Sequence, residues 1–227
     1  WFYNREAQCC LNFEKSIMTK VLFGTTVSKI DANYISTKIC VLPLGVDLPK
    51  FSNEKSKFIC FTGNMNYQPN LEAFNWFYEN VWKPNYDLLA PYKMKVIGSS
   101  PPKRLIQLSD KDKSIIVTGY VDDISAEISK CIASVAPMQS GSGMQFKILE
   151  AMAVSVPVIA TTLAVGDIKA TNNHNIIISN EPNDFIKGLS ELIRSRSNVK
   201  DIGKRGRDFV IKNHSWENIN KSFINLL

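Results

Sequence analysis

The sequence predicts an α/β protein: a Rossmann-like, doubly wound parallel sheet followed by a helical C-terminus. Three observations carry that expectation. Short β-rich runs alternate with helical stretches through the middle of the chain, glycines close three of those runs, and after Ile178 only helical spacing remains.

In order, strands are read at Phe58 to Thr62, Lys93 to Ile97, Ile115 to Thr118, Ala133 to Ala136, Val158 to Ala160 and Ile176 to Ile178. Helices fall between them at Asn70 to Val81, where Leu71, Phe74, Phe77 and Tyr78 share a face, and at Pro102 to Leu108, Ile124 to Lys130 and Gln145 to Ala153. Gly63, Gly98 and Gly119 stand where the chain leaves the carboxyl edge of the sheet, the edge at which open α/β sheets bind ligands. Three more helices follow, Asp184 to Ser195, Lys200 to Lys212 and Trp216 to Leu227, with Phe185, Leu189, Leu192 and Ile193 at helical spacing. The first 38 residues stand outside this alternation. They read as a helix, a strand from Val21 to Thr26 and a helix from Asp31 to Thr37, a piece unable to bury both faces of its strand. VLPLGVDLPKF, starting at Val41, has two prolines and a glycine and reads as an extended connector at a domain junction. The chain starts at Trp1 without a secretory leader pattern and reads as cut, with preceding polypeptide missing.

Composition removes several classes of function. The 227 residues are 44% hydrophobic and 21% charged, enough for a sizeable core and too hydrophobic for a disordered chain. No run approaches the ~18 apolar residues of a membrane span. The net charge is +6, and 21 of the 27 cations are Lys against six Arg, a surface that suits anions but carries few of the forks that read bases. Nine Lys or Arg against four Asp or Glu fall between residues 187 and 221, without interleaved aromatics, so a solvated helical face is expected and nucleic acid is not a partner. Cys9, Cys10, Cys40, Cys60 and Cys131 are odd in number and lack metal-site spacing, and Cys60 and Cys131 lie in apolar runs as small buried hydrophobes. That usage fits a reducing cytoplasm. His174 and His214 are too few for a histidine triad or a multi-histidine metal site.

The stretch PMQSGSGMQFKILEAMAVSVPVIATT, from Pro137 to Thr162, carries the chemistry. A strand ends, Gly141 and Gly143 frame a turn, and a helix starts near Met144, which leaves free N–H groups at a positive helix end suited to phosphate. Lys147 and Glu150, three apart, are expected on the helix face opposite Phe146, Leu149 and Ala153. A cation for a diphosphate and a carboxylate for a ribose diol would then lie side by side. On spacing alone the same junction also reads as an exposed ion pair worth ~0.2–0.5 kcal/mol that binds nothing.

The continuation LEAMA…PVIAT resembles the retaining glycosyltransferases of family 4, the group 1 enzymes with a two-domain GT-B fold, in their donor-binding C-terminal domain. VLPLGVD (41–47) is similar to the interdomain connector, FTGNMNYQPNLEAFNWF (61–77) to the first strand-loop-helix, VTGYVDDI (117–124) to the strand bordering the base, and HSW (214–216) to the start of the C-terminal helix. The wording is nearest to sugar transferases associated with exopolysaccharide biosynthesis. The resemblance covers 39–227, and residues 1–38 look like a remnant of the acceptor-side domain.

By that resemblance Glu150 holds the ribose hydroxyls of a nucleotide sugar. The backbone of Gly63, Asn64, Met65 and Asn66 faces the diphosphate and the acceptor cleft, and Gly119, Tyr120 and Val121 flank the base. Gly141, Ser142, Gly143, Met144, Gln145 and Phe146 form the loop over the donor sugar and phosphates, and Lys147 is the catalytic phosphate cation. Read without the family, Tyr120 is as well explained by sheet packing. Two departures stand out. Ser142 occupies the position, eight before Glu150, where many members carry a Glu, and the family's Arg-Lys pair is missing between Asn64 and Asn70.

Breaking a glycosyl–phosphate bond places negative charge on the departing diphosphate, which Lys147 and the Met144 to Lys147 N–H groups would stabilise. The resemblance implies no metal or other cofactor, and a UDP- or GDP-linked sugar as co-substrate. Asp122 and Asp123 are expected to cap a helix instead of ligating an ion. A glycan or lipid-linked acceptor bound through the missing domain, and attachment to the inner face of a membrane, are further implications. The chain alone is then expected to be inactive. The alternative is a degenerate domain that docks a protein or a membrane through its basic C-terminal helices. A sugar-nucleotide epimerase of the same fold lacks its acid and base residues here.

Overall fold

The computed structural model describes residues 2–51, 54–141 and 144–226, and the chain forms two compact units. The smaller is Trp1–Gly45 with Trp216–Leu227. It contains α1 (Phe2–Met18), β1 (Gly24–Thr26), α2 (Lys29–Ile35), β2 (Ile39–Val41) and a C-terminal helix, Trp216–Ile224. Ser28 caps α2, its Oγ accepting from the Asp31 N–H at 3.2 Å. The strand expected from Val21 starts only at Gly24, and Leu22 before it is 91% exposed.

A second strand lies where the extended connector was expected to begin. β2 pairs in parallel with β1, Gly24 opposite Ile39 and Thr26 opposite Val41, with α2 as the crossover. Gly24 N–H donates to Lys38 O and Leu42 N–H to Thr26 O, which lengthens the ladder at both ends. The β-branched residues flanking Cys40 were too short a run to stand out by periodicity, so the α-β-α piece read over the first 38 residues is followed by an unexpected strand that pairs with it.

The larger unit, Val46–Ser215, is built on six parallel strands: β3 (Phe58–Thr62), β4 (Lys93–Ile97), β5 (Ile115–Gly119), β6 (Ala133–Ala136), β7 (Val158–Ala160) and β8 (Ile177–Ile178). Their spatial order is β5-β4-β3-β6-β7-β8. The chain runs outward from β3 to β5, returns to β6 beside β3, and runs outward the other way. The order therefore reverses between β3 and β6, whose carboxyl ends flank the crevice where open sheets of this kind bind ligands. Ile59, Cys60 and Phe61 are fully buried, as a central strand covered on both faces requires.

The flanking helices are α3 (Gln68–Phe77), α4 (Tyr86–Leu89), α5 (Lys103–Lys111), α6 (Ile124–Ser129), α7 (Phe146–Ala153), α8 (Thr162–Val165), α9 (Pro182–Arg194) and α10 (Arg196–His214). Phe185 of α9 meets Phe77 and Trp76 of α3 edge to face, at 5.5 and 5.8 Å between ring centres. The helix expected to run to Val81 changes pitch at Tyr78 into a π-helical turn, Tyr78–Trp82. That end is tied down by two side-chain bonds to the entry of β5: Tyr78 Oη to Asp112 Oδ2 and Trp82 Nε1 to Ser114 Oγ, both 2.9 Å. Asp123 caps α6 through the Ala126 N–H, as the sequence suggested. Cys60 and Cys131 are buried free thiols. Among the described residues no helix is long and apolar enough to cross a membrane.

Candidate functional site

The carboxyl ends of β3, β4 and β5 are laced together by main-chain bonds. Gly63 N–H donates to Ile97 O (3.0 Å), Gly98 N–H to Gly119 O (3.1 Å) and Met65 N–H to Ser99 O (2.9 Å). The glycines are needed for this closeness: a Cβ on Gly98 would fall 2.0 Å from Gly63 O, and one on Gly63 would fall 2.6 Å from Asn70 Nδ2. Asn64 Oδ1 accepts from Asn66 N–H at 2.9 Å, an Asx turn that presents both exposed Asn side chains. Met65 is fully buried with its N–H already committed, so it anchors this loop.

Opposite, the loop leaving β6 is held at three points. Thr161 Oγ1 donates to Met138 O (2.9 Å), Ser140 Oγ donates to Glu72 Oε2 (2.5 Å), and Gly141 lies against Pro69. The Ser140 bond, helped by Gln68, holds the Glu72 carboxyl below its ordinary range. Ser142 and Gly143 lie outside the described residues. Met144 and Gln145 are half-buried, and Gln145 begins α7 without a side-chain cap bond, so among the described residues no side chain caps the first-turn N–H groups.

Lys147 corrects the expected helix face. It is 8% exposed, while Phe146, expected in the core, is 41% exposed. The reason is that α7 packs against α10 as well as β6 and β7, so Ile148, Leu149, Ala151 and Met152 are all buried and no broad solvent face remains. Lys147 Nζ donates to Asn70 Oδ1 at 2.6 Å, lies 3.6 Å from Met138 Sδ and sits 4.8 Å from the centre of the Phe61 ring. Desolvation brings its pKa down to about 8, opposed by the pull of Glu150. Glu150 is half-buried, and burial pushes its carboxyl up against the opposite pull of Lys147. The pair is thus a desolvated cation and carboxylate on one turn, and not a surface ion pair.

The structure brings Gly63 to Asn66, Gly141 and Met144 to Glu150 to the β3/β6 crevice. Gly119, Tyr120 and Val121 lie at the end of β5, with β4 between them and β3, and Gly119 O is tied to that group through Gly98 N–H. Tyr120 is 74% exposed there. Asn70 was read as the start of a helix and not as a site residue. Pro69 sits in the first turn of α3, the position proline favours, which was the available sign that the helix begins before Asn70. Thr62 Oγ1, at the end of β3, is buried without a hydrogen-bond partner among the described residues. Among those residues no three His, Cys, Asp or Glu converge as a metal site. An open cleft of about 580 Å³ lies elsewhere, between β8, α9 and α10, with Asp184, Lys187, Glu191 and Arg205 on its walls.

Residues 56–195, more than half of the chain, match the family described as glycosyl transferases group 1. The chain belongs to that family. This member of the group is 24% identical over 242 aligned residues to an uncharacterized glycosyltransferase, MJ1069, of Methanocaldococcus jannaschii, covering 92% of this chain and 59% of that protein. Its fold is similar to that of S. aureus TarM, with a TM-score of 0.78 at 17% identity over 95% of this chain and 45% of TarM. It is also similar to Anabaena Alr3699/HepE, solved with UDP and glucose, with a TM-score of 0.73 at 12% identity over 90% of this chain and 62% of that one. The sheet and helices are those of the Rossmann-like GT-B glycosyltransferases. The group 1 chain spans 43% and 59% of the lengths of two curated relatives.

Proposed function

We propose that residues 39–227 are the donor-binding half of a retaining, metal-independent glycosyltransferase of family 4, taking a hexose from a UDP- or GDP-linked donor. Residues 1–38 then belong to the acceptor-side half, and transfer to a glycan or lipid-linked acceptor requires polypeptide beyond this chain. A role in polysaccharide synthesis at the inner face of a membrane completes the reading.

One observation carries it: a buried ammonium, Lys147, with no carboxylate among its hydrogen-bond partners in the described residues, at the point where the strand order reverses. A cation desolvated by burial, with the pull of Glu150 only partly offsetting the penalty, is unfavourable by itself and favourable once an anion arrives. The Asn64–Asn66 turn and the start of α7 flank it with main-chain groups, and Glu150 lies one turn further along α7. In this arrangement Lys147 and the α7 N-terminus stabilise the departing diphosphate, and Glu150 accepts from the ribose hydroxyls. The solved HepE complex with UDP and glucose supports the donor class by analogy of fold.

Thermal unfolding with uridine, guanosine and adenosine diphosphates, with and without EDTA, tests the reading on this chain and on Glu150→Ala. A ligand at about 100 times its Kd adds ~2.7 kcal/mol to stability. A selective shift that survives EDTA and disappears in Glu150→Ala is expected. No shift with any of the three would replace the donor site with the docking alternative.

A further inference from the structure

With Lys147 read as the phosphate cation, the part played by its hydrogen-bond partner Asn70 is still to be assigned. Asn70, on the first turn of α3, is 7% exposed. Its Nδ2 donates to Asn64 O at 2.9 Å and its Oδ1 accepts from Lys147 Nζ at 2.6 Å. The two ends of a carboxamide differ, one donating and one accepting. Reversing the amide would set NH₂ against an ammonium and oxygen against a carbonyl oxygen, so the partners fix its orientation. Gly63 makes room for it, since any Cβ there would collide with the amide.

Among the described residues the other groups around Nζ are a thioether sulfur and the face of a phenyl ring, neither of which carries charge. The ionised group whose pull reaches Lys147 is Glu150, on its own helix. An ammonium has three donors. Asn70 takes one and Met138 engages a second weakly, so among the described residues a third is left for a ligand. We propose that Asn70 is the positioning residue of the donor site, aiming the Lys147 ammonium with a neutral acceptor so that its charge stays available to a diphosphate, while its other end holds the Gly63–Asn66 loop. This rests on the donor-site reading. An Asp at this position would keep the shape, neutralise the cation and repel Asn64 O, which releases the loop; the amide is the group that does both tasks.

The test compares the wild-type chain, Asn70→Asp, Asn70→Ala and Lys147→Met. Two readouts are taken: affinity at pH 7 for uridine, guanosine and adenosine diphosphates beside their parent nucleosides, and titration of the Lys147 side chain by NMR of labelled lysine, assigned with Lys147→Met. Asn70→Asp is expected to move the Lys147 titration to higher pH and to weaken the diphosphate bound by wild type at least about tenfold, with nucleoside affinity unchanged. Asn70→Ala weakens the same diphosphate without moving the titration upward, which separates loss of aim from loss of charge. Wild-type diphosphate affinity in Asn70→Asp, equal weakening of the nucleoside, or an unmoved Lys147 titration would each overturn the proposal. Diphosphate binding that is lost in Lys147→Met but retained in both Asn70 variants overturns this role alone. Should no diphosphate bind the wild type, the donor reading falls and takes the role with it, even where the titration moves.

Discussion

Lys147 shows most directly how one residue can oppose stability in the service of binding. Its folded pKa is about 8 against an ordinary 10.5, because burial penalises the charged form. Below pH 8 the folded and unfolded chains both carry the proton and the full penalty is present. Between about pH 8 and pH 10.5 the unfolded chain binds more protons, so stability rises with pH and the penalty, ~3 kcal/mol as an order of magnitude, is relieved. Lys147→Met has no such proton. Urea denaturation across that window is expected to show the wild type gaining on the variant, and a constant difference between them would show that Lys147 is not desolvated. The sequence placed Lys147 and Glu150 one turn apart but assigned them the wrong face. Periodicity marks the apolar residues of a helix, and α7 has them nearly all round. The partner Asn70, 77 positions away, was invisible for the same reason: no local pattern records what lies across a crevice.

At the scale of elements, α10 depends on glycine in a way its sequence disguises. Two interior glycines weaken a helix by propensity, roughly 1 kcal/mol each against Ala. A Cβ on Gly203 would fall 2.2 Å from the Ser155 carbonyl oxygen, whereas one on Gly206 would lie 3.3 Å from its nearest neighbours, Asn175 O and Met152 Cγ. Gly203→Ala is therefore expected to destabilise the chain by about 2–4 kcal/mol because a backbone carbonyl must move, and Gly206→Ala to stay within about 1 kcal/mol of wild type. Chemical denaturation midpoints decide it, and equal midpoints would mean that α10 does not seat on the turn at Ser155. The strands of the larger unit were legible to within a residue because each is a short apolar run between breakers. The π-helical turn at Tyr78 was not, since it follows from bonds to Asp112 and Ser114, which are remote in sequence.

Across the whole molecule, the aromatic cluster of Phe77, Trp76 and Phe185 joins α3, which carries Asn70, to α9 far along the chain. Phe185 is fully buried, and Phe185→Ala should cost ~3–5 kcal/mol through lost transfer energy and the cavity left behind. An unchanged denaturant slope with a lower midpoint is the expected result; a cost near zero would mean that the cluster is not part of the cooperative core. The sequence by itself determined the fold class, the six strands, the glycines at three strand ends and the family wording that implies a sugar-nucleotide donor, because these are written in local runs and motifs. The tertiary structure alone decided the rest. It put β6 beside β3, so that the two loops meet at a crevice, and it sent Gly119 to Val121 to the sheet edge. It buried Lys147 against Asn70, and it added β2 to the smaller unit. Those outcomes depend on which surfaces cover which, and burial is a property of pairs of distant segments that no single segment can state.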